Sequence, residues 1–148
     1  MGSTGSLPIL PADGPAVDLR IGLSSALVSA LRSVGQAVPG PLLVSFLVDT
    51  GASTTVIEPW LVSHFSLSPR STSMTQTAGG VVSVQQYDIS LEIPDKRLIA
   101  SGMRVGNLLA SEMALNFIRP KGGLLGRDVL DHCTMSYDGP SGAFQLHW

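Results

Sequence analysis

The sequence predicts an all-β domain with short helices, closed or folded over into a barrel. Three observations favour this class. Hydrophobic residues make up 44% of the 148 residues and charged residues only 14%, which is typical of a chain with a packed core. Sixteen glycines and ten prolines indicate many turns. Short apolar or alternating segments lie between those turns, as in barrels built from many short strands.

The first half of the chain contains two predicted strands with a helix between them. Ala16–Leu23 alternates apolar and polar residues, which is typical of a strand with one buried face. Ser24–Val34 places Ala26, Leu27, Ala30, Leu31 and Val34 on one helical face. Ser24 or Ser25 could cap this helix and Gly35 could end it. We interpret it as a packing insertion, and its apolar face would also suit a partner-binding helix. Leu42–Val48 is apolar except at Ser45, which suits a strand buried on both faces.

The second half is predicted as a hairpin, further short strands and two short helices. Gly79-Gly80 lies between two β-leaning stretches and therefore predicts a hairpin tip. The other predicted elements are, in order, a helix over Glu58–Phe65 with Pro59 in its first turn, strands over Tyr87–Ile93, near Met103–Val105 and Ala114–Ile118, a buried run at Leu124–Gly126, two helical turns over Arg127–Cys133, and a closing hairpin of Thr134–Tyr137 with Ala143–His147.

Composition excludes several classes of function. The net charge is −2 and the nine basic residues are scattered, so neither nucleic acid nor an acidic membrane is an expected partner. No apolar run reaches the roughly 18 residues of a spanning helix. The three histidines lack metal-ligand spacing and Cys133 stands alone, so we expect no metal, no organic cofactor and no internal disulfide. Serine-hydrolase and phosphate-loop motifs are also missing.

The beginning of the chain is expected to lie outside the domain. Residues 1–14 are rich in Gly, Pro and Ser and predict a flexible leader, followed by one domain over residues 15–148. Met1–Ser6 has neither the basic region nor the apolar stretch of a secretory signal, so a cytoplasmic location is the default expectation.

Asp49 stands where a carboxylate is costly. It follows the apolar segment Leu42–Val48, and a buried acid must be hydrogen-bonded or neutralised. Gly51 allows the backbone to approach closely, and Thr50 supplies a hydroxyl. An acid at the mouth of a core, with amide donors beside it, is a candidate functional group. On Asp-Thr-Gly alone, the alternative is a plain turn in which the aspartate caps its own backbone.

Three segments together resemble the retropepsin-like aspartic proteases. They are FLVDTGAST, the Gly-Gly tip followed by VQQYDISLEI, and the later GLLGRDVL, and they occur in the order that this family shows. The resemblance covers most of residues 42–133 and implies a closed barrel with a flap hairpin. The helix over Ser24–Val34 resembles bacterial members of the group more than the compact retroviral enzymes.

The resemblance implies a role for each matched residue. Asp49 matches the catalytic aspartate, and Thr50 matches a threonine that locks two active-site loops together. Gly51 and Ala52 match backbone positions that line the substrate. The flap tip corresponds to Ala78, Gly79, Gly80, Val81 and Val82. Retroviral relatives often carry an acid where this chain has Ser53, so the partner of Arg127 is left open between Asp128 and a main-chain carbonyl.

This chain carries half of the chemistry that the resemblance implies. Hydrolysis by aspartates uses two carboxylates around one water, and no second Asp-Thr/Ser-Gly is present. We therefore expect a homodimer that cleaves peptides or proteins, with one Asp49 from each chain. Leu47, Val81, Val82 and Leu124 are the expected walls of apolar substrate pockets. The alternatives are a catalytically weak or silent dimerisation or peptide-binding module of the same fold, and an unrelated β domain in which the motif is a turn.

Overall fold

The computed structural model describes residues 4–8, 14–94, 103–115, 117 and 121–148. Ten strands and three helices lie in this part of the chain. In chain order they are β1 (Thr4–Pro8), β2 (Ala16–Leu23), α1 (Ser25–Ser33), β3 (Leu42–Val48), β4 (Val56–Ile57), α2 (Pro59–His64), β5 (Ser71–Thr77), β6 (Gly80–Ile93), β7 (Met103–Glu112), β8 (Gly123–Leu125), α3 (Arg127–Leu130), β9 (Thr134–Asp138) and β10 (Ala143–His147).

The larger sheet closes on itself. Its seven strands have the order β2-β3-β8-β4-β7-β6-β5, and β2 also pairs with β6. Six of the strands therefore form a closed circuit, which satisfies the backbone hydrogen bonds that an open sheet would leave at its edges. β6 is long enough for two roles, because residues 80–86 pair with β5 while the later residues pair with β7 and β2.

The core follows the alternation that the sequence shows. On β2 the inward residues are Val17, Leu19 and Ile21, while Asp18 and Arg20 lie on the other face. β6 contributes Tyr87, Ile89, Leu91 and Ile93 in the same manner, and further core side chains include Phe46, Ile57, Leu61, Leu125 and Val129.

A smaller antiparallel sheet contains both ends of the described chain, with the strand order β1-β10-β9. Phe144 and Leu146 of β10 join the hydrophobic core, and the predicted closing hairpin is confirmed. Thr4–Pro8 pairs with β10 along its backbone, a difference from the loose leader expected for residues 1–14.

Helix α1 forms where the sequence predicted it, and its predicted inward face is confirmed at Leu27 and Leu31 but not at Ala26, Ala30 and Val34. The Ser24 hydroxyl caps the helix by accepting a hydrogen bond from the Leu27 N–H at 3.3 Å. Leu27, Val28 and Leu31 pack against the core, whereas Val34 is 68% exposed. The helix is rotated toward Val28, because turning Val28 inward removes more apolar area from water than turning Ala26 or Ala30 inward.

Three further expectations need correction. The first half of β3 is not buried on both faces, since Leu43 is 60% exposed and β8 pairs only with residues 46–48. No strand forms at Ala114 and Leu115, because the Leu115 N–H donates instead to the Glu58 carboxylate at 2.9 Å. The rest of that predicted strand includes residues 116 and 118, which lie outside the described residues. Helix α3 ends at Leu130 and is therefore shorter than predicted. In place of a second helical turn, the N–H groups of His132 and Cys133 donate to the carbonyls three residues earlier.

Tyr87 links β6 to β7 through a pair of ionisable groups. Its hydroxyl donates to Glu112 Oε1 at 3.3 Å, and its residue is 5% exposed. Burial, and to a smaller extent the Glu112 carboxylate, raises the pKa of Tyr87 above that of a free phenol. A folded pKa above the unfolded one means that the neutral phenol stabilises the fold fully below about pH 10. That contribution is lost as the pH rises through the folded pKa.

We expect Tyr87→Phe to lower the free energy of unfolding by about 1 kcal/mol near neutral pH, through loss of the hydrogen bond. Between about pH 9 and pH 11 the variant should lose less stability than the wild type, because it has no phenol to ionise. Urea unfolding at several pH values measures both effects. Tyr137→Phe, on the exposed strand β9, controls for the removal of a tyrosine. A parallel decline of wild type and Tyr87→Phe would contradict the prediction.

Candidate active site

Asp49 lies directly beyond the buried end of β3. Phe46 and Val48 of that strand are core residues, and the Asp49 N–H donates to the Leu125 carbonyl of β8 at 3.0 Å. The residue itself is half-buried, so the strand delivers its acid to the edge of the core rather than into it. This is the location that the apolar run before Asp49 predicted.

The loop over residues 49–52 is a tight turn organised around the carboxylate. The Gly51 N–H donates to Asp49 Oδ1 at 2.8 Å, and the Ala52 N–H donates to the Asp49 carbonyl at 3.2 Å. A Cβ at Gly51 would lie 3.1 Å from Asp49 Oδ1, closer than ordinary van der Waals contact. Glycine therefore lets the amide reach the acid without crowding it. No other hydrogen bond reaches this carboxylate from the described residues, which leaves Oδ2 open to a water or a substrate.

Arg127 ties the start of α3 to this loop. Its guanidinium Nη1 donates to the Thr50 carbonyl at 2.8 Å, and its N–H donates to the Ala52 carbonyl at 2.9 Å. Of the two partners left open by the sequence, the structure thus selects a main-chain carbonyl. The side chain is exposed, so it reaches the loop from the solvent side.

Asp128 has a different partner, which the sequence reasoning missed. Its Oδ2 accepts from the Thr55 N–H and its Oδ1 accepts from the Thr55 hydroxyl, each at 2.8 Å. The Thr55 hydroxyl oxygen accepts from the Gly126 N–H at 3.2 Å, and Asp128 Oδ1 also accepts from the Val129 N–H at 3.0 Å. Thr55 is fully buried, so these bonds satisfy donors that water cannot reach. The available sequence signal was an acid in the first turn of a short helix.

Gly126 permits this contact between segments that are distant in sequence. A Cβ at Gly126 would lie 2.5 Å from the Thr54 carbonyl carbon, a distance that backbone atoms cannot accommodate without moving. The absence of a side chain lets α3 approach residues 54 and 55 closely enough for the hydrogen bonds between Asp128 and Thr55.

The predicted flap is a hairpin with a two-residue turn. Thr77 pairs with Gly80, so Ala78 and Gly79 form the turn, and Gly80 opens β6 with φ +115°. Thr77 Oγ1 donates to the Gly80 carbonyl at 2.9 Å and accepts from the Gly79 N–H at 3.2 Å. This part of the candidate site is therefore locally well specified.

The structure brings some of the predicted site residues together and leaves others apart. Leu47 and Leu124 are paired neighbours on β3 and β8, next to the Asp49 loop. Val81 and Val82 are 59% and 39% exposed on the hairpin. No hydrogen bond among the described residues joins the hairpin to the Asp49 loop.

A cavity of about 730 Å³ lies elsewhere, between α1 and the segment 38–41. Its lining includes Ser29 and Arg32 of α1 and also Pro41, which directly precedes β3. Asp49 directly follows the other end of that strand. Seven strand residues span roughly 23 Å, so the cavity is not part of the Asp49 site. Within the described residues, no group of three or more His, Cys, Asp or Glu could hold a metal, and no helix is long and apolar enough to cross a membrane.

The chain is similar to known aspartic proteases in sequence and in fold. The family model described as aspartyl protease matches residues 37–129, which contain β3, the Asp49 loop, the hairpin and most of α3. A retropepsin-like aspartic protease from Rickettsia conorii is similar in structure, with a TM-score of 0.57 and 12% identity over 100% of this chain and 94% of that one. The EIAV protease in complex with the inhibitor HBY-793 has a TM-score of 0.45 and 17% identity, over 85% of this chain and 93% of that one. No curated protein matches the chain in sequence.

The structural likeness, together with the closed sheet, confirms the predicted fold class, which is all-β with short helices and retropepsin-like.

We expect Asp128→Ala to lower the free energy of unfolding by roughly 2–3 kcal/mol, because the buried N–H and hydroxyl of Thr55 would lose their acceptor. Asp128→Asn, which keeps one acceptor oxygen, should cost less. Asp131→Ala, at an exposed position beyond the same helix, is the matched control and should stay within about 0.5 kcal/mol of the wild type. Equal losses in Asp128→Ala and Asp131→Ala by urea unfolding would show that the bonds to Thr55 are not stabilising.

Proposed function

The chain belongs to the aspartyl protease family and has the retropepsin-like fold, and from this we propose that it is an aspartic endopeptidase whose active site is shared by two copies. The proposal depends most on one observation. Asp49 is held by the Gly51 N–H at the end of a core strand, with its second carboxylate oxygen open. An acid held in place and exposed on one side can exchange protons with a water molecule.

The need for a second copy follows from the number of acids. The sequence contains one Asp-Thr-Gly, so each chain supplies one carboxylate of this kind. A two-fold axis beside the loop would bring the same carboxylate from a second chain opposite the first. The Thr50 residue is exposed, which supports a role for its hydroxyl between the two loops rather than within one chain.

The reaction we propose uses water as the nucleophile. One Asp49 carboxylate takes a proton from the water as its oxygen attacks the carbonyl carbon of the peptide bond. The other Asp49, in its protonated form, donates a hydrogen bond to the carbonyl oxygen and stabilises the tetrahedral intermediate. The C–N bond then breaks, the amine leaves with a proton from the dyad, and the new carboxylate product dissociates. Two adjacent acids share one proton readily, since both cannot be ionised without repulsion.

The substrate class we propose is an extended peptide with apolar side chains. The hairpin presents Val81 and Val82 to solvent, and Leu47 and Leu124 are neighbours on β3 and β8 next to the Asp49 loop. An extended peptide could add main-chain hydrogen bonds as a strand does, with the apolar side chains in pockets on either side.

The second candidate is a peptide-binding or dimerisation module with little turnover. The hydrogen bond from Gly51 to Asp49 would also occur in a plain turn, so it does not separate the two candidates by itself. The open carboxylate oxygen favours the enzyme, because a scaffold has no need of an exposed acid at that place.

We expect Asp49→Asn to reduce hydrolysis of an apolar peptide library roughly 10³-fold or more, because the amide cannot accept the proton of the water. Circular dichroism and sedimentation should match the wild type, since the side chain keeps its size and one acceptor oxygen. Activity that persists in purified Asp49→Asn would exclude this mechanism. A wild type that binds peptides without cleaving them would support the second candidate.

Mixing the two forms tests whether the site is shared. Subunits of Asp49→Asn that exchange with wild-type subunits form dimers with a single carboxylate. An equal amount of variant should therefore reduce wild-type activity to about half, and a ninefold excess to about a tenth. Activity that stays unchanged after complete subunit exchange, monitored with a fluorescent label on each form, would show that one chain carries a whole site.

Ala52 is expected to set the pH range. A hydroxyl at this position could donate to the ionised acid, and alanine cannot, so we expect a mildly acidic optimum for the wild type. Ala52→Ser should shift the optimum to lower pH by about half a unit. Ala52→Val controls for added bulk and should not produce this shift. An optimum in the wild type below about pH 3 would contradict the prediction.

A further inference from the structure

One peptide group connects Arg127 to the carboxylate of Asp49. The Thr50 carbonyl and the Gly51 N–H belong to the same planar unit. Its oxygen accepts from Arg127 Nη1 at 2.8 Å, and its N–H donates to Asp49 Oδ1 at 2.8 Å. The guanidinium and the carboxylate are thus joined at the two ends of one rigid group.

We propose that Arg127 is a positioning residue that acts on Asp49 through this peptide, an inference that builds on the proposed function. By holding the carbonyl, Arg127 fixes the rotation of the peptide plane and so the direction in which the Gly51 N–H points. A cation at the oxygen also polarises the peptide and makes its N–H a stronger donor to the carboxylate.

The main chain at Arg127 is held in place by hydrogen bonds to neighbouring segments, so its side chain starts from a fixed position. Its own N–H donates to the Ala52 carbonyl at 2.9 Å, so the side chain begins beside the loop that it holds. The helix it belongs to is fastened by the hydrogen bonds between Asp128 and Thr55. Anchored in this way, the guanidinium loses less freedom when it binds the carbonyl.

Among the described residues of the loop, β8 and α3, no other cation is available for this role. Residues 50–55 and strand β8 carry no ionisable side chain. The carboxylate of Asp128 accepts its hydrogen bonds from Thr55 and Val129 rather than from Arg127. The exposed guanidinium is screened by solvent, so we expect orientation of the peptide to matter more than long-range charge.

The experiment compares Arg127→Lys and Arg127→Met with a matched control. Lysine keeps a charge and one possible hydrogen bond to the carbonyl, whereas methionine keeps only the apolar stem. Arg32→Met removes another exposed arginine, near the end of α1 and beside the cavity at the far end of β3, and should behave as the wild type.

The first readout does not need activity. In ¹⁵N-labelled protein, the amide proton of Gly51 reports the strength of its hydrogen bond to Asp49. In Arg127→Met this signal should move upfield, and the exchange of the amide proton with deuterium should accelerate about tenfold. Arg127→Lys should give values of both quantities between those of Arg127→Met and the wild type. A Gly51 amide that is unchanged in Arg127→Met would overturn the proposal.

The second readout is kinetic. In Arg127→Met, kcat should fall about tenfold while KM stays within about twofold, and the acidic limb of kcat/KM should move to higher pH. A fall in kcat without movement of this limb, restored by raising protein concentration, would indicate a role in assembly only and would overturn the proposal. If the wild type cleaves no peptide, the proposed function fails, and the Gly51 amide still decides the role of Arg127.

Discussion

The parallel pairing of β3 with β8 is the contact on which the candidate site depends. It joins residues 46–48 to residues 123–125, more than seventy positions later in the chain. Because β8 leads directly into α3, this pairing also sets Arg127 beside the Asp49 loop. On its other side β8 pairs with β4, and there Gly123 and Gly126 permit close approach, since a Cβ at either position would lie within 2.6 Å of main-chain atoms of Val56 or Thr54. Glycine is required at both positions for contact distance, and the acid is placed by strand pairing rather than by its own turn.

Much of the fold could be predicted because local patterns determine it. The strand β2 and the strand β3, which ends at Val48 just before Asp49, have the bounds that the sequence indicated. Ser24, one of the two predicted caps, caps α1. Alternation of apolar residues fixes which face of a strand is inward, and prolines and glycines mark the turns. The rotation of α1 was not predictable in the same way. It depends on which side chains fit the outer surface of the barrel, a property of the packed molecule and not of the helix.

The site divides into what a motif indicates and what only the tertiary structure specifies. The apolar run and Gly51 were enough to single out Asp49 as a residue under constraint. The partners of Arg127 and Asp128 were not, because both bind groups more than seventy residues away whose chemistry is common throughout the chain. A buried threonine and a backbone carbonyl give no distinctive sequence signal. Such networks are visible only after the donors and acceptors of each buried group have been matched.

The acid loop and the hairpin differ in how they are held, and this difference suits the proposed chemistry. Three hydrogen bonds reach the Asp49 loop from β8 and α3, so the position of the carboxylate is determined by the core of the domain. The outer part of the hairpin, in contrast, pairs only strand with strand, between β5 and the first residues of β6. Moving the outer part of this hairpin would disturb few buried contacts, whereas moving the acid would disrupt the β3–β8 pairing. A catalytic group benefits from the first arrangement because its geometry is set before substrate arrives. A covering element benefits from the second, since a long peptide must enter beneath it and leave in two pieces.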